Sequence, residues 1–284
     1  MAHTDEIMRK LACGASIEMN VQDVRDLDAS RAWLADGQTL YVSHLPRQTW
    51  MQTAAACHAI RDAGLRAVPH VPVRLIDGAS TLDRMLAELI GRARVDEILL
   101  IAGDYAGVAG PYSCVADVLA TGALTHHGLT RISFAGHPEG HPRVPLAEIR
   151  RAEREKAALA AAAGLEVTFL TQFFFEAAPF LDWSAELRAH GVRGRIVAGL
   201  CAPAPLATLF RYAVRCGVGP SIRALGARPS SMLKLARPYA PDAVLHALAQ
   251  ARAHRAAAFD GVHWFCFGGF LKTCEWVDAL AKGR

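Results

Sequence analysis

The sequence predicts a (β/α)8 barrel, and three observations support that fold. Eight short apolar runs of strand type recur along the 284 residues, helical patterns separate consecutive runs, and polar residues follow several of the runs. Strands that alternate with helices form parallel sheets. Eight repeats suit a closed barrel better than an open, doubly wound sheet. We therefore expect one barrel domain over residues 1–284.

The expected strands follow from apolar runs that end abruptly in turn residues. They are 15–19, 39–43, 67–71, 97–102, 131–135, 166–171, 195–200 and 261–267. The run 97–102, EILLIA, is the kind expected where both faces of a parallel sheet are covered. An acidic helix start is expected at 23–28, and Gly64 and Gly164 are expected to end helices. The other expected helices are 48–63, 81–93, 146–163, 203–215, 229–235 and 241–258.

The composition fits a large folded domain and excludes two classes of partner. With 52% hydrophobic and 20% charged residues, the chain can bury a sizeable core. The net charge of +4 is mild, and no basic stripe with interleaved aromatics is present, which excludes nucleic-acid binding. The densest basic group, 150–156, alternates with glutamates and is predicted to be a solvated helix face. No stretch approaches the ~20 apolar residues of a membrane span.

The cysteines and the amino-terminal residues indicate the cellular compartment in which the protein is expected. Seven cysteines without a CxxC pair argue against a disulfide framework or a zinc cluster. Reduced thiols and the absence of a signal-peptide pattern predict a cytoplasmic protein. A homo-oligomer is compatible with this sequence.

The stretch 131–142, RISFAGHPEGHP, is the first candidate for a functional site. An apolar strand ends there in a turn that carries His137, Glu139 and His141. Taken alone, it can also be a polar turn with incidental histidines. A zinc site is disfavoured because Pro138 and Gly140 prevent the helix that would align both rings.

Other polar residues lie on or after strands, whose carboxyl ends converge at one face of a barrel. Glu18 interrupts an apolar strand, and an unpaired buried carboxylate is costly, so it must face a wet cavity or a ligand. Ser43, His70, Asp104 and Gln172 are similarly placed. Two alternatives stay open: a core histidine at His70 and a capping serine at Ser43.

Five motifs in order along the chain give a more specific indication. They are SIEM (16–19), PHV (69–71), AGD (102–104), FAGHPEGHP (134–142) and LTQFFFE (170–176). Together they resemble the methylenetetrahydrofolate reductase family. The resemblance implies reduction of 5,10-methylenetetrahydrofolate to 5-methyltetrahydrofolate, with NAD(P)H as the hydride source.

The resemblance also implies residue roles. Glu18 matches the proton donor, a buried carboxyl whose pKa would be raised. Asp104 would steady the cationic intermediate and contact the pterin, and Gln172 would bind the pterin's amide edge. Phe174 would form a wall, although three consecutive aromatics at a strand end, here 173–175, are more often core packing. The implied FAD contacts are Ser43, His70, Ala102, Gly103, Asp104, Tyr112 or Cys114, His137, His141 and Lys156.

The sequence departs from the family pattern mainly at the flavin. Ala102 stands where the family has an arginine, Arg150 where it has an aspartate, and Gly268 and Gly269 where it has Asn-Arg; Lys156 is shifted from the family's lysine. Either FAD is bound through other cations, such as Arg150 or Lys156, or hydride passes directly from the nicotinamide. Two rivals remain: a tetrahydrofolate-dependent methyl-transfer or demethylation enzyme, and a catalytically silent folate-binding subunit.

Overall fold

The eight predicted strands form a closed parallel barrel in a computed structural model that describes residues 2–103, 107–216, 238–254 and 257–283. Neighbours along the chain pair in order, and the eighth strand pairs with the first, Ser16 opposite His263. Helices connect the strands on the outside. The predicted (β/α)8 barrel is confirmed.

The strand bounds agree closely with the expected ones. The helix expected at 81–93 is α-helical only to Leu86 and continues as a π-helix over Ala87–Arg92, and the helix expected at 241–258 ends at Ala253. The strands are β1 (Ser16–Asn20), β2 (Thr39–Ser43), β3 (Arg66–Pro72), β4 (Glu97–Ile101), β5 (Arg131–Gly136), β6 (Glu166–Thr171), β7 (Arg195–Cys201) and β8 (Gly261–Phe265). The helices are α1 (Ala2–Cys13), α2 (Leu27–Ser30), α3 (Trp50–Asp62), α4 (Ala79–Leu86), α5 (Val115–Ala120), α6 (Ala123–His126), α7 (Leu146–Ala162), α8 (Ala177–Ala189), α9 (Leu206–Cys216), α10 (Asp242–Ala253) and α11 (Phe270–Ala281). The helix predicted at 229–235 lies outside the described residues. Within the described ranges, every helix is too short or too polar to span a bilayer.

Strand periodicity decides which side chains enter the barrel. In β1, Ile17 and Met19 are fully buried in the core between sheet and helices. Ser16, Glu18 and Asn20, on the alternate positions, are only partly buried. Polar residues of β1 therefore face the barrel interior, while its apolar residues pack against the helices.

The barrel interior is layered. An apolar layer crosses its middle, composed of Tyr41, Val68, Leu99, Leu170 and Val197. Nearer the amino-terminal ends of the strands lies a polar network in which Glu97 accepts hydrogen bonds from Arg66 (2.5 Å) and Ser133. This network stabilises the basal end, which in such barrels serves stability, and leaves the carboxyl ends for chemistry.

Candidate functional site

Glu18 lies at the centre of a polar cluster just inside the carboxyl end of the barrel. Its Oε1 accepts a 2.6 Å hydrogen bond from Ser43 Oγ at the end of β2. Its Oε2 lies 3.2 Å from His263 Nε2 on β8 and 3.4 Å from His70 Nε2 on β3. The carboxyl is 15% exposed, so a ligand in the barrel mouth can reach it. The structure thus brings together three predicted residues and one that the sequence did not identify.

The two imidazoles determine the charge of Glu18. Burial alone would raise the pKa of this carboxyl, but the His70 charge and the hydrogen bond from His263 outweigh burial and lower its pKa well below the usual value. Burial lowers the pKa of His263 despite the attraction of Glu18. The expectation that Glu18 has a raised pKa is therefore wrong for the free protein, because the sequence did not reveal the imidazoles. Glu18 is an ionised carboxylate beside a neutral His263.

His70 contributes a second polar atom to the cluster. Its Nε2 is buried and forms no hydrogen bond, although Glu18 Oε2 lies 3.4 Å away. A buried, unsatisfied ring nitrogen costs free energy unless a partner arrives. His70 is therefore available to a ligand that settles beside Glu18.

His263 is the residue that sequence reasoning missed. Its ring is fully buried, with Nδ1 2.9 Å from Ser16 Oγ and Nε2 facing Glu18. The Tyr41 ring packs edge-on against it at 5.0 Å. Strand alternation in GVHWF could have indicated it, since Gly261, His263 and Phe265 share one face.

Aromatic side chains continue from this cluster along one side of the mouth. Phe265 lies 4.8 Å from His263, and Phe267 is parallel to Phe265 at 5.7 Å. Phe173 packs edge-on against Phe267 at 4.9 Å. Phe174 instead is buried in the main core, parallel to Phe180 at 5.0 Å, and the prediction that it contacts substrate is wrong. Alternation along 173–175 explains the difference.

The ends of β4 and β6 hold the predicted pterin contacts. Gln172 is half-buried directly after β6, and its backbone N–H donates to the Gly136 carbonyl at 2.8 Å. Ala102 and Gly103 follow β4, and Arg74 Nη1 donates to the Gly103 carbonyl at 3.2 Å. Asp104 lies outside the described residues. Arg74 thus brings a guanidinium to the loop that begins at Ala102.

The Tyr112 and Cys114 alternatives occupy different environments. Tyr112 is buried in the main core. Cys114 is exposed at the N-cap of α5, where its backbone N–H donates to Asp117 Oδ2 at 2.9 Å. Both positions are explained by packing and capping, so neither side chain is assigned to a ligand.

Two side chains of α7 form hydrogen bonds to the backbone of the predicted histidine loop. Arg150 donates to the carbonyls of His137 and Pro138, each at 3.1 Å, and Glu153 accepts from the His137 backbone N–H at 3.0 Å. Both side chains are buried, so the prediction that 150–156 is a solvated face is wrong at these two positions. Burial, with the nearby positive charge of Lys156, lowers the pKa of His137 to about 3. The His141 ring lies edge-on to it at 5.8 Å.

Lys156 does not reach the barrel mouth. Its ammonium donates to the Ala135 carbonyl at 2.7 Å and lies over the rings of Phe134 and Phe169, about 5.3 and 5.2 Å from their centroids. Both rings belong to the core between the sheet and the helices. Burial lowers the pKa of Lys156 to about 8. The predicted cofactor contact at Lys156 is therefore corrected to an internal one.

These positions do not fit an FAD diphosphate. Ser43 donates to Glu18 and His70 lies beside that carboxyl, whereas Arg150 and Lys156 bond to carbonyls behind β5. A diphosphate needs cations or backbone N–H groups aimed at it. Within the described ranges, no group of three His, Cys, Asp or Glu residues is arranged to hold a metal ion.

Comparison with known proteins supports the fold. No protein-family model matches the chain. An uncharacterised protein from Clostridium thermocellum that binds two copies of 5-methyl-5,6,7,8-tetrahydrofolic acid superposes with a TM-score of 0.59 at 11% identity, over 98% of this chain and 97% of that one. Dihydropteroate synthase from Thermus thermophilus superposes with a TM-score of 0.50 at 10% identity, over 95% and 93%. At these identities, the similarity establishes the shared barrel fold.

Proposed function

We propose that this barrel binds a reduced folate and reduces 5,10-methylenetetrahydrofolate to 5-methyltetrahydrofolate with NAD(P)H. The observation that carries the proposal is the Glu18 carboxylate in the barrel mouth, bonded to Ser43 and His263 and next to His70. The order of the sequence motifs supports the same chemistry. The Clostridium thermocellum barrel, whose ligand is a reduced folate, adds support for the substrate class.

The reaction needs a proton and a hydride. Protonation of the bridging nitrogen N10 opens the five-membered ring to an iminium ion at N5, and hydride addition to the methylene carbon gives the methyl group. The sum is methylenetetrahydrofolate, NAD(P)H and one proton giving methyltetrahydrofolate and NAD(P)+. An ionised Glu18 next to the iminium stabilises its positive charge, and the cluster supplies the proton through the same carboxyl.

The remaining folate contacts are proposed from the ends of β4 and β6. Gln172 offers an amide donor and acceptor for the pterin edge, and Asp104 a carboxylate for its N–H groups. Since Arg150 and Lys156 are engaged elsewhere, we propose direct hydride transfer from the nicotinamide to the folate rather than transfer through FAD.

The test is NAD(P)H oxidation that depends on methylenetetrahydrofolate. Glu18→Gln keeps the size of the side chain and removes its charge, so turnover should fall by about 100-fold or more while folate still binds. Glu166→Gln, an exposed strand glutamate at the opposite end of the barrel, should retain wild-type rates. Full activity in Glu18→Gln would show that the assignment of Glu18 is wrong.

A second candidate is binding of 5-methyltetrahydrofolate for methyl transfer or demethylation, without reduction. The Clostridium thermocellum barrel, which binds 5-methyl-5,6,7,8-tetrahydrofolic acid, favours it, and neither Arg150 nor Lys156 is aimed at a flavin diphosphate. Calorimetric binding of 5-methyltetrahydrofolate, together with no NAD(P)H oxidation, would select this candidate over the reductase.

A further inference from the structure

A cavity of about 290 Å³ opens at the amino-terminal end of the barrel, opposite Glu18. Arg66, Glu97, Arg195 and Gly261, the first residues of four strands, contribute to its lining. Ser16, the first residue of β1, lines it as well. Its lining is mainly polar, and polar cavities of this size hold water.

A chain of polar atoms connects this cavity to the candidate site. Ser16 Oγ lies 2.9 Å from His263 Nδ1, and His263 Nε2 lies 3.2 Å from Glu18 Oε2. The apolar layer of Tyr41 and its neighbours fills the interior beside this chain. These polar atoms lie along β1 and β8. Gly199 on β7, the pairing partner of His263, adds no side chain beside them.

We propose that Ser16 and His263 carry a proton from the basal cavity to Glu18 while substrate covers the mouth. The substrate in this inference rests on the proposed function. The Nε2–H proton of His263 moves to Glu18 Oε2, the Ser16 hydroxyl proton moves to Nδ1, and a cavity water reprotonates Ser16 Oγ, which leaves a hydroxide in the cavity. Glu18 then passes its proton to N10 of the folate.

The cycle closes after product leaves. Water in the open mouth protonates Nε2, and the Nδ1 proton returns through Ser16 and neutralises the cavity hydroxide, which restores the starting tautomer. The hydroxide left in the mouth corresponds to the one proton that the net reaction consumes. This route explains how Glu18 can donate a proton although its own proton is lost in the free protein. Tyr41, whose pKa is raised mainly by burial, stays a neutral phenol beside the His263 ring and does not compete.

Two variants interrupt the relay without touching Glu18. Ser16→Ala removes the outer hydroxyl. Gly261→Val places an apolar side chain in the cavity, where a Cβ would meet nothing within 4 Å. Ser133→Ala is the matched control, because it removes another barrel serine hydroxyl, one bonded to Tyr41 and Glu97 instead.

The first readout is turnover. Ser16→Ala and Gly261→Val should lower kcat about tenfold or more and change its solvent isotope effect, with KM and 5-methyltetrahydrofolate affinity kept. Ser133→Ala should keep both the rate and the isotope effect. Wild-type kcat and isotope effect in both relay variants would overturn the proposal.

The second readout is independent of activity. Exchange of the His263 ring N–H with solvent, followed by ¹⁵N-histidine NMR and assigned with His263→Gln, should slow about tenfold in both relay variants but not in Ser133→Ala. Unchanged exchange would show that protons reach His263 from the mouth, and the relay fails. If the wild-type protein does not oxidise NAD(P)H, the proposed reductase function is wrong, but the exchange measurement still tests the relay.

Discussion

At the scale of single residues, the neighbours of Glu18 matter more than its burial. A carboxyl in an apolar strand would hold a proton if it were alone, and two imidazoles reverse that preference. His263, which is 245 residues away along the chain, is one of them. The resting site is therefore a carboxylate ready to stabilise a cation, and the proton must be delivered during turnover.

His44 is expected to make folding stability depend on pH. It is buried, its Nδ1 is 2.7 Å from Thr53 Oγ1, and its ring stacks on Trp50 at 3.9 Å. Burial, with a smaller effect of the His70 charge, lowers its pKa to about 4. The unfolded histidine titrates near about 6.5, so between these values the unfolded chain binds more protons, and this contribution to stability falls as pH falls.

His44→Gln removes this linkage. The loss of unfolding free energy between pH 7.5 and pH 5, measured by urea denaturation, should be about 1–2 kcal/mol smaller than in wild type. His246→Gln on α10, an exposed histidine, should keep the wild-type dependence. An unchanged pH dependence in His44→Gln would contradict the assignment.

At the scale of elements, α7 shows how helical spacing outweighs charge pattern. Arg150, Glu153, Ala157 and Ala160 recur at helical spacing and lie on its buried face. Two of the four are charged, so the sequence resembled a solvated helix. The spacing could have identified them, but their partners, the His137 loop and Trp183, are fixed only by the tertiary fold.

Glu153 should be the critical residue of this element. It is fully buried and accepts from the His137 N–H, Arg150 and Trp183, each at 3.0 Å. Glu153→Ala leaves Arg150 without this buried partner and should lower the unfolding free energy by about 3 kcal/mol. Glu155→Ala, which breaks a pair exposed by 65% and 49%, should change it by less than about 0.5 kcal/mol. Equal losses in urea denaturation would contradict the role of Glu153.

At the scale of the whole molecule, the sequence could predict the barrel because each strand and helix is locally consistent with it. It could also predict that Glu18, Ser43 and His70 lie together, since neighbouring parallel strands bring their carboxyl ends to one face. It could not predict that Phe174, just after β6, packs in the core between the sheet and the helices, or that Lys156 of α7 bonds to the Ala135 carbonyl. One residue of register moves a side chain to the other face of the sheet, as for Phe174.

The barrel as a whole is expected not to hold a flavin. The diphosphate of FAD is anionic, and the cations predicted to meet it, Arg150 and Lys156, are bonded to carbonyls behind β5. The purified protein should lack the visible absorbance of oxidised flavin, and titration with FAD should leave flavin fluorescence unquenched. Lys156→Met should lower thermal stability, because Lys156 packs on two core rings, without changing that result. If the wild-type protein instead bound one equivalent of FAD and Lys156→Met did not, Lys156 would contact the diphosphate. Hydride would then pass to the folate through the flavin.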